Sequence, residues 1–274
     1  MSSPGNPKTS ILLITYNQEK FIRQALDSVL MQQTDFPIEV VVADDYSQDS
    51  TFAIAREYQA RADNVRLLPS EEKIGITRNI QRGFAACQGK YVAMLEGDDY
   101  WISPNKVKTV TTFLDRHQEC SFCFHRLIRF DETSDSATVH PMIEVTSDFT
   151  VFSASDLARG NIIGGLSTCT YRREVIDSLD PGLWKLKVRE WPFNIVVATH
   201  GPVGYLPEVL SIYRVHWGGI FSKKTVDEQI PILLELVESY NEYLDFKFDA
   251  EFREFKQVLS SAGNRSIPAE PPER

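Results

Sequence analysis

Four short apolar runs organise the front of the chain, at residues 10–16 (SILLITY), 38–43 (IEVVVA), 65–68 (VRLL) and 91–95 (YVAML). The first two are rich in β-branched residues, the composition of strands buried on both faces. More than twenty residues separate each run from the next, enough for a helical crossover between parallel strands. Two of the gaps carry helical patterns. Phe21, Ile22, Ala25, Leu26, Val29 and Leu30 recur on one face, and residues 49–62 open on Asp49 as a candidate cap before Phe52, Ala55 and Tyr58. Such alternation selects an α/β sheet flanked by helices.

In open sheets of this class, ligands bind beyond the carboxyl ends of the strands. Here the first run ends in Thr15-Tyr16-Asn17, the second in Asp44-Asp45-Tyr46-Ser47 and the fourth in Glu96-Gly97-Asp98-Asp99-Tyr100-Trp101. Three strand ends therefore converge on a crevice carrying several carboxylates. Asp98 and Asp99 are adjacent like charges, which raise one another's pKa unless a cation lies between them and a partner. Oxygen ligands on a strand-end turn, completed by water and phosphate, suit Mg²⁺ or Mn²⁺ better than zinc. A solvated Asp-Asp turn is the alternative. Asp45 could accept from ribose hydroxyls or a base N–H. Neither G-x-G-x-x-G nor G-x-x-x-x-G-K-[ST] occurs, so a diphosphate bound here would be neutralised by metal and side chains.

Charge narrows the partners. The 274 residues carry 38 Asp and Glu against 29 Lys and Arg, a net charge of -9, which argues against nucleic acid as partner. No stretch approaches the eighteen or so apolar residues of a membrane span. The opening residues 1–7 lack a secretory layout and read as a frayed terminus, with a cytoplasmic setting as the default. Cys120 and Cys123 form a Cys-x-x-Cys pair, but within an apolar strand-like segment and with no second ligand pair. With Cys87 and Cys169 they read as core thiols.

The second half is less regular. Residues 104–117 look helical, 120–130 and 209–215 look like strands, and 131–148 is a polar stretch suiting a hairpin or mobile loop. Ile230, Leu233, Leu234, Val237, Tyr240 and Leu244 trace a helical stripe, expected to dock on the domain or on a second subunit as a homodimer contact. Residues 263–274, with three prolines, are expected to be disordered.

The strand-end segments carry a resemblance. Ser10-Ile11-Leu12-Leu13-Ile14-Thr15-Tyr16-Asn17, Asp44-Asp45-Tyr46-Ser47-Gln48-Asp49-Ser50-Thr51, Gly75-Ile76-Thr77-Arg78-Asn79, and Gly89-Lys90-Tyr91 running into Leu95-Glu96-Gly97-Asp98-Asp99-Tyr100-Trp101 resemble, in order and spacing, the motifs of family 2 glycosyltransferases of GT-A fold. The resemblance is strong over residues 8–118 and looser over 160–220. It implies a GT-A domain at 8–220, with a nucleotide-sugar-binding half at 8–118 and a smaller, mixed acceptor and catalytic half at 119–220. A C-terminal helical extension at 221–262 follows.

The resemblance further implies that Ile14, Tyr16 and Asp45 hold uracil and ribose, and that Arg78 lies near the base and phosphates. Asp98 and Asp99 fall on the metal motif, with Asp99 as direct ligand and Asp98 toward the ribose. Tyr213-Arg214-Val215-His216 resembles a late segment that adds a diphosphate contact through Arg214 or a metal contact through His216. Glu190, in Glu190-Trp191-Pro192, falls where the family usually has an Asp base. It is the candidate general base, against a structural ion pair with Arg189 or Lys187. The acidic pair stands at the last two positions of the motif, not as alternating D-x-D, which leaves Glu96 an indirect role.

Also open are Arg214 as a brace to Glu208, His125 as a buried imidazole or an acceptor neighbour, and Trp101 and Trp191 as core or sugar-stacking residues. The expected reaction is metal-assisted, inverting transfer from a nucleotide diphosphate sugar, UDP-linked by resemblance, to a carbohydrate, lipid-linked or protein acceptor, with a peripheral membrane contact left open. The alternatives are a catalytically silent nucleotide-sugar-binding subunit and a sugar-phosphate nucleotidyltransferase. The last expects a Gly-rich basic loop after the first strand, where Thr15-Tyr16-Asn17-Gln18 stands instead.

Overall fold

Strand β1 (Thr9–Thr15) is buried along its whole length, and its side chains divide strictly by parity. Leu12 and Ile14 join one apolar layer while Ile11 and Leu13 join the other, as the two-residue period of a central strand requires. The computed structural model describes residues 6–216, 218, 219 and 224–263. In it, β1 pairs in parallel with β2 (Ile38–Asp44) and β4 (Tyr91–Glu96), and β2 pairs with β3 (Val65–Leu68). The crossovers are α1 (Ile22–Leu30), α2 (Thr51–Arg61) and α3 (Ile76–Ala86).

Beyond β4 come β5 (Tyr100–Trp101), α4 (Lys106–Arg116), the hairpin β6 (Phe122–Asp131) and β7 (Ser136–His140), then β8 (Thr150–Phe152) and α5 (Ala154–Ala158). A 3₁₀ turn at Leu166–Thr168 leads into β9 (Thr170–Arg172), α6 (Arg173–Asp177), α7 (Glu190–Ala198) and β10 (Val203–Val215). One sheet runs through both halves in the order β3-β2-β1-β4-β9-β6-β10-β5, with β7 on β6 and β8 on β10. Parallel pairing gives way to antiparallel at β9, which joins β4 to β6. The polar stretch after 131 thus contains a hairpin.

The expected Asp49 cap is instead a loop anchor. Helix α2 begins at Thr51, and the Asp49 carboxylate accepts from the N–H groups of Glu19 and Thr51. All four cysteines are buried and free, and burial pushes the Cys120 thiol up to about 11 and that of Cys123 higher still. The C-terminal stripe lies on α8 (Val226–Tyr243), where Leu236, Val237 and Tyr240 join the core of the same chain. A further helix, α9 (Asp249–Gly263), brings Phe252 and Phe255 against Trp191. Among the described residues no helix is long and apolar enough to cross a membrane. Of residues 263–274, expected to be disordered, Gly263 instead ends α9, and 264–274 lie outside the described residues.

Candidate active site

Parallel pairing sets the strand ends level, with Ile14 beside Glu96 and Thr15 beside Asp44. A cleft of about 850 Å³ opens there, lined by Ile14, Tyr16, Asp45, Glu96, Asp98, Arg214 and His216, with Lys73, Arg189 and Tyr213 beside them. That volume falls within the range of small-molecule sites. A smaller cleft of about 370 Å³ lies away from the strand ends, at Glu119, Arg172 and His200.

Two left-handed residues, Asn17 (φ 52°) and Tyr46 (φ 64°), turn the chain sharply after β1 and β2. The turns are tied together: Asn17 N–H donates to Ser47 Oγ at 2.9 Å, and Gln48 N–H to Asn17 Oδ1 at 2.8 Å. Asp44 accepts from Ser47, which fixes the turn locally. Asp45 reaches across to the start of α3 and accepts from the N–H groups of Ile74 (2.8 Å) and Gly75 (3.0 Å). Its carboxylate therefore shapes the cleft wall and keeps acceptor capacity for a ligand. Lys73, just before this segment, places Nζ 3.8 Å from the Tyr16 ring centroid, a cation–π distance.

The acidic motif divides by face. Glu96, the last residue of β4, and Asp98, in the turn that follows, both line the cleft. Asp99 is turned the other way and is 1% exposed. Its Oδ2 accepts from Ser167 Oγ at 2.6 Å and its Oδ1 from Arg214 N–H at 3.0 Å. Ser167 in turn accepts from Glu96 N–H, so Asp99 anchors the turn internally. This reverses the expected order of the pair: the carboxylate at the cleft is that of Asp98. Burial, then the neighbouring Asp98, pushes the Asp99 carboxyl well above its ordinary range. Burial, then Asp99 and Asp98, does the same to Glu96.

His216 is 9% exposed and holds Nε2 3.2 Å from Asp98 Oδ2. Its Nδ1 accepts from Gly218 N–H at 3.0 Å. A ring nitrogen that accepts carries no proton, so the proton resides on Nε2 and is donated to Asp98. A metal-ligating imidazole has the opposite pattern, with the distal nitrogen donating. Arg214 is also committed within the chain. It donates to Glu132 (2.6 Å), Gln24 (2.6 Å) and the Asp98 carbonyl (2.9 Å), so its bracing partner is Glu132 and not Glu208. Arg78 is exposed on α3 and does not line the cleft; the cations that line it are Lys20, Lys73, Arg189 and Arg214.

Glu190 opens α7, directly after the cleft residue Arg189. Its Oε2 accepts from Asn161 Nδ2 at 3.0 Å and its Oε1 lies 3.5 Å from Asn194 Nδ2. Burial pushes its carboxyl up to about 7, while the two carboxamides hold it down. The ion-pair alternative is not realised: Lys187 pairs with Glu235, and among the described residues Glu190 has no cationic partner within ion-pair distance. Trp101 and Trp191 are core residues whose indoles donate to the carbonyls of Ser167 and Leu157. His125 is buried, with Nδ1 at 2.9 Å from the Arg126 carbonyl and burial pushing its pKa down to about 3.

A parallel sheet that turns antiparallel beyond β4, with acidic strand ends facing one cleft, is the architecture of GT-A glycosyltransferases. The comparisons agree. The model of glycosyl transferase family 2 matches residues 10–180, and the chain belongs to that family. An uncharacterized protein of Mycobacterium tuberculosis is 36% identical over 223 residues, 80% of this chain and 62% of that protein. The chain thus spans about three fifths of that relative's length. The glycosyltransferase TuaG of Bacillus subtilis, named for teichuronic acid biosynthesis, is 27% identical over 168 residues, 61% of this chain and 64% of that protein. In fold the chain is similar to S. aureus TarS 1-349 in complex with UDP-GlcNAc, at TM-score 0.67 and 18% identity, covering 96% of this chain and 77% of that one. It is also similar to the mannosyltransferase PcManGT of Pyrobaculum calidifontis with GDP-Man and Mn²⁺, at TM-score 0.61 and 14% identity, over 97% and 78%.

Among the described residues, no three His, Cys, Asp or Glu side chains gather at metal-ligating spacing. Asp98, on the cleft wall, supplies the donor type that Mg²⁺ and Mn²⁺ take when phosphate and water complete the shell.

Proposed function

We propose that the chain transfers a sugar from a nucleoside diphosphate sugar, UDP-linked in preference to GDP-linked, to an acceptor hydroxyl with inversion at the anomeric carbon, in glycan or polysaccharide synthesis. The observation that carries the reading is the division of the acidic motif. Glu96 and Asp98 face the cleft that Ile14, Tyr16 and Asp45 also line, while Asp99 is spent on Ser167 and Arg214. The base and ribose would sit over Ile14, Tyr16 and Asp45, with the diphosphate toward Asp98 and Lys73. The complexes of TarS with UDP-GlcNAc and of PcManGT with GDP-Man support donors of this class.

Asp98 would hold a divalent cation, which when bound neutralises charge on the departing diphosphate. His216 donates to Asp98 and keeps that carboxylate oriented. Glu190 takes the proton from the acceptor hydroxyl as its oxygen bonds to the anomeric carbon and the carbon–oxygen bond to phosphate breaks. A base with pKa near the working pH suits this step. One carboxylate acting on the face opposite the leaving group inverts the centre.

The test is release of nucleoside diphosphate from UDP-, GDP- and dTDP-sugars with Mn²⁺, for wild type, Asp98→Asn and Glu190→Gln. Turnover that survives both substitutions would sink the mechanism. Nucleotide binding without turnover across a broad acceptor panel would favour a silent binding subunit.

A further inference from the structure

Asn161 lies in the loop between α5 and the 3₁₀ turn, outside the quoted motifs that carried the resemblance most strongly. Its Oδ1 accepts two backbone N–H groups of its own loop, from Ile163 at 3.1 Å and Gly164 at 3.3 Å. This fixes which way the carboxamide points, because the flipped amide would set its NH₂ against both N–H groups. The NH₂ consequently faces Glu190, with Nδ2 3.0 Å from Oε2. The second carboxamide, Asn194, is fixed by the Tyr171 hydroxyl donating to its Oδ1 at 2.7 Å, but its own NH₂ stands 3.5 Å from Glu190 and 3.6 Å from Cys169 Sγ. Asn161 thus makes the shorter contact.

The same loop also packs near the cleft. At Gly164 (φ 86°) a Cβ would collide with the His140 ring, and at Gly165 it would stand 3.5 Å from Tyr213. Tyr213 lines the donor cleft. The loop that bonds Glu190 therefore also runs close to the cleft wall at Tyr213. We propose that Asn161 is a positioning residue for the transfer reaction, holding the Glu190 carboxylate in orientation and tying it to the loop at 160–165.

This rests on Glu190 as the base. The titratable groups around Glu190 are Glu96 from β4, Cys169 and Tyr171 on the β9 side, and Tyr213 from β10. Arg189 acts on Glu96 from the helix start. Burial keeps the thiol and both phenols neutral, so the carboxamide donors are what favour the ionised base. An N–H donated to a carboxylate stabilises its charged form.

The experiment compares wild type, Asn161→Ala, Asn161→Asp and Glu190→Gln. Asn161→Asp keeps an oxygen for Ile163 and Gly164, which preserves the loop, while it replaces the donor with a repelling charge. With protein labelled at the glutamate carboxyl carbon, the Glu190 resonance is the one missing in Glu190→Gln, and its titration needs no turnover. Its midpoint should rise by roughly half a pH unit or more in Asn161→Ala, and further in Asn161→Asp. The acid limb of the pH–rate profile should move with it, with kcat down about tenfold and donor KM unchanged. A midpoint that stays put in both variants overturns the inference. If Glu190→Gln remains active, the base reading falls and the positioning role with it. If Glu190→Gln is inactive and the limb is unmoved in both Asn161 variants, the base reading stands and only the positioning role is lost.

Discussion

Asp98 Oδ2 and His216 Nε2 stand 3.2 Å apart on the cleft wall, and Gly218 N–H on the other ring nitrogen makes the imidazole a donor in this pair. The arrangement separates two roles. Asp98→Asn should lower Mn²⁺ affinity in the presence of nucleoside diphosphate by more than about 100-fold, because it removes a charged oxygen ligand. His216→Gln keeps an N–H donor near Asp98 and should cost about tenfold, the lower end of the range for outer partners of a ligand. Calorimetric Mn²⁺ titration checks both. Equal losses in the two variants would mean that the ring binds the metal directly.

Glu190 should set the acid limb of activity. With its carboxyl at about 7, the rate should rise with pH through that value and level off above it, as a base needs its ionised form. Glu190→Gln should lose roughly 10² to 10⁴ in kcat. The same shift predicts a stability effect of opposite sense. A carboxyl raised from its ordinary 4.5 to about 7 on folding costs nothing below the unfolded value and destabilises progressively as pH rises through the folded one. Glu190→Gln should therefore melt like wild type near pH 4.5 and be more stable at pH 8, by about 2 kcal/mol once residual solvent access is discounted. Paired melting curves at the two pH values test this.

The fold was legible because parity and spacing are local. The two faces of β1 and the gaps between strands follow from residues within one segment, and the sheet they demand is the sheet observed. The site was legible only to the level of the motif. Which of Asp98 and Asp99 faces the cleft depends on Ser167 and on the backbone of Arg214, far along the chain, and no local pattern encodes it. Helix α9 lacked a clear stripe, since Phe252 and Phe255 meet Trp191 only once α7 is in place. Asn161 carried no signal beyond its place just before Gly164 and Gly165.

Lys73 and Arg78 offer a direct comparison of placement. Lys73 lies over Tyr16 on the cleft wall, whereas Arg78 is exposed on α3 outside it. A cation near a bound diphosphate forms charge-assisted hydrogen bonds, worth about 1.5 to 3 kcal/mol each. Lys73→Ala should accordingly raise the Kd for nucleoside diphosphate about tenfold or more, and Arg78→Ala should change it less than about twofold. The reverse order would place the diphosphate along α3, away from Tyr16.

Gly97 is where the acidic turn meets β1. A Cβ there would stand 2.8 Å from Thr15 Oγ1 and 3.0 Å from Thr15 Cβ, and would collide with the Gln18 carboxamide oxygen. Gln18 itself accepts from Thr15 Oγ1 at 2.9 Å, so neither partner can withdraw without loss. Gly97→Ala should destabilise by about 1 to 3 kcal/mol through overpacking, read as a lower urea midpoint with unchanged slope. It should also weaken nucleotide binding, because Glu96 and Asp98 flank the displaced residue. In a Gln18→Ala background one of the two obstacles is gone, and the same substitution should cost less, a coupling that a double-mutant cycle measures. Additive effects in that cycle would show that the turn yields elsewhere, and that the close approach to β1 does not hold the acidic pair at the cleft.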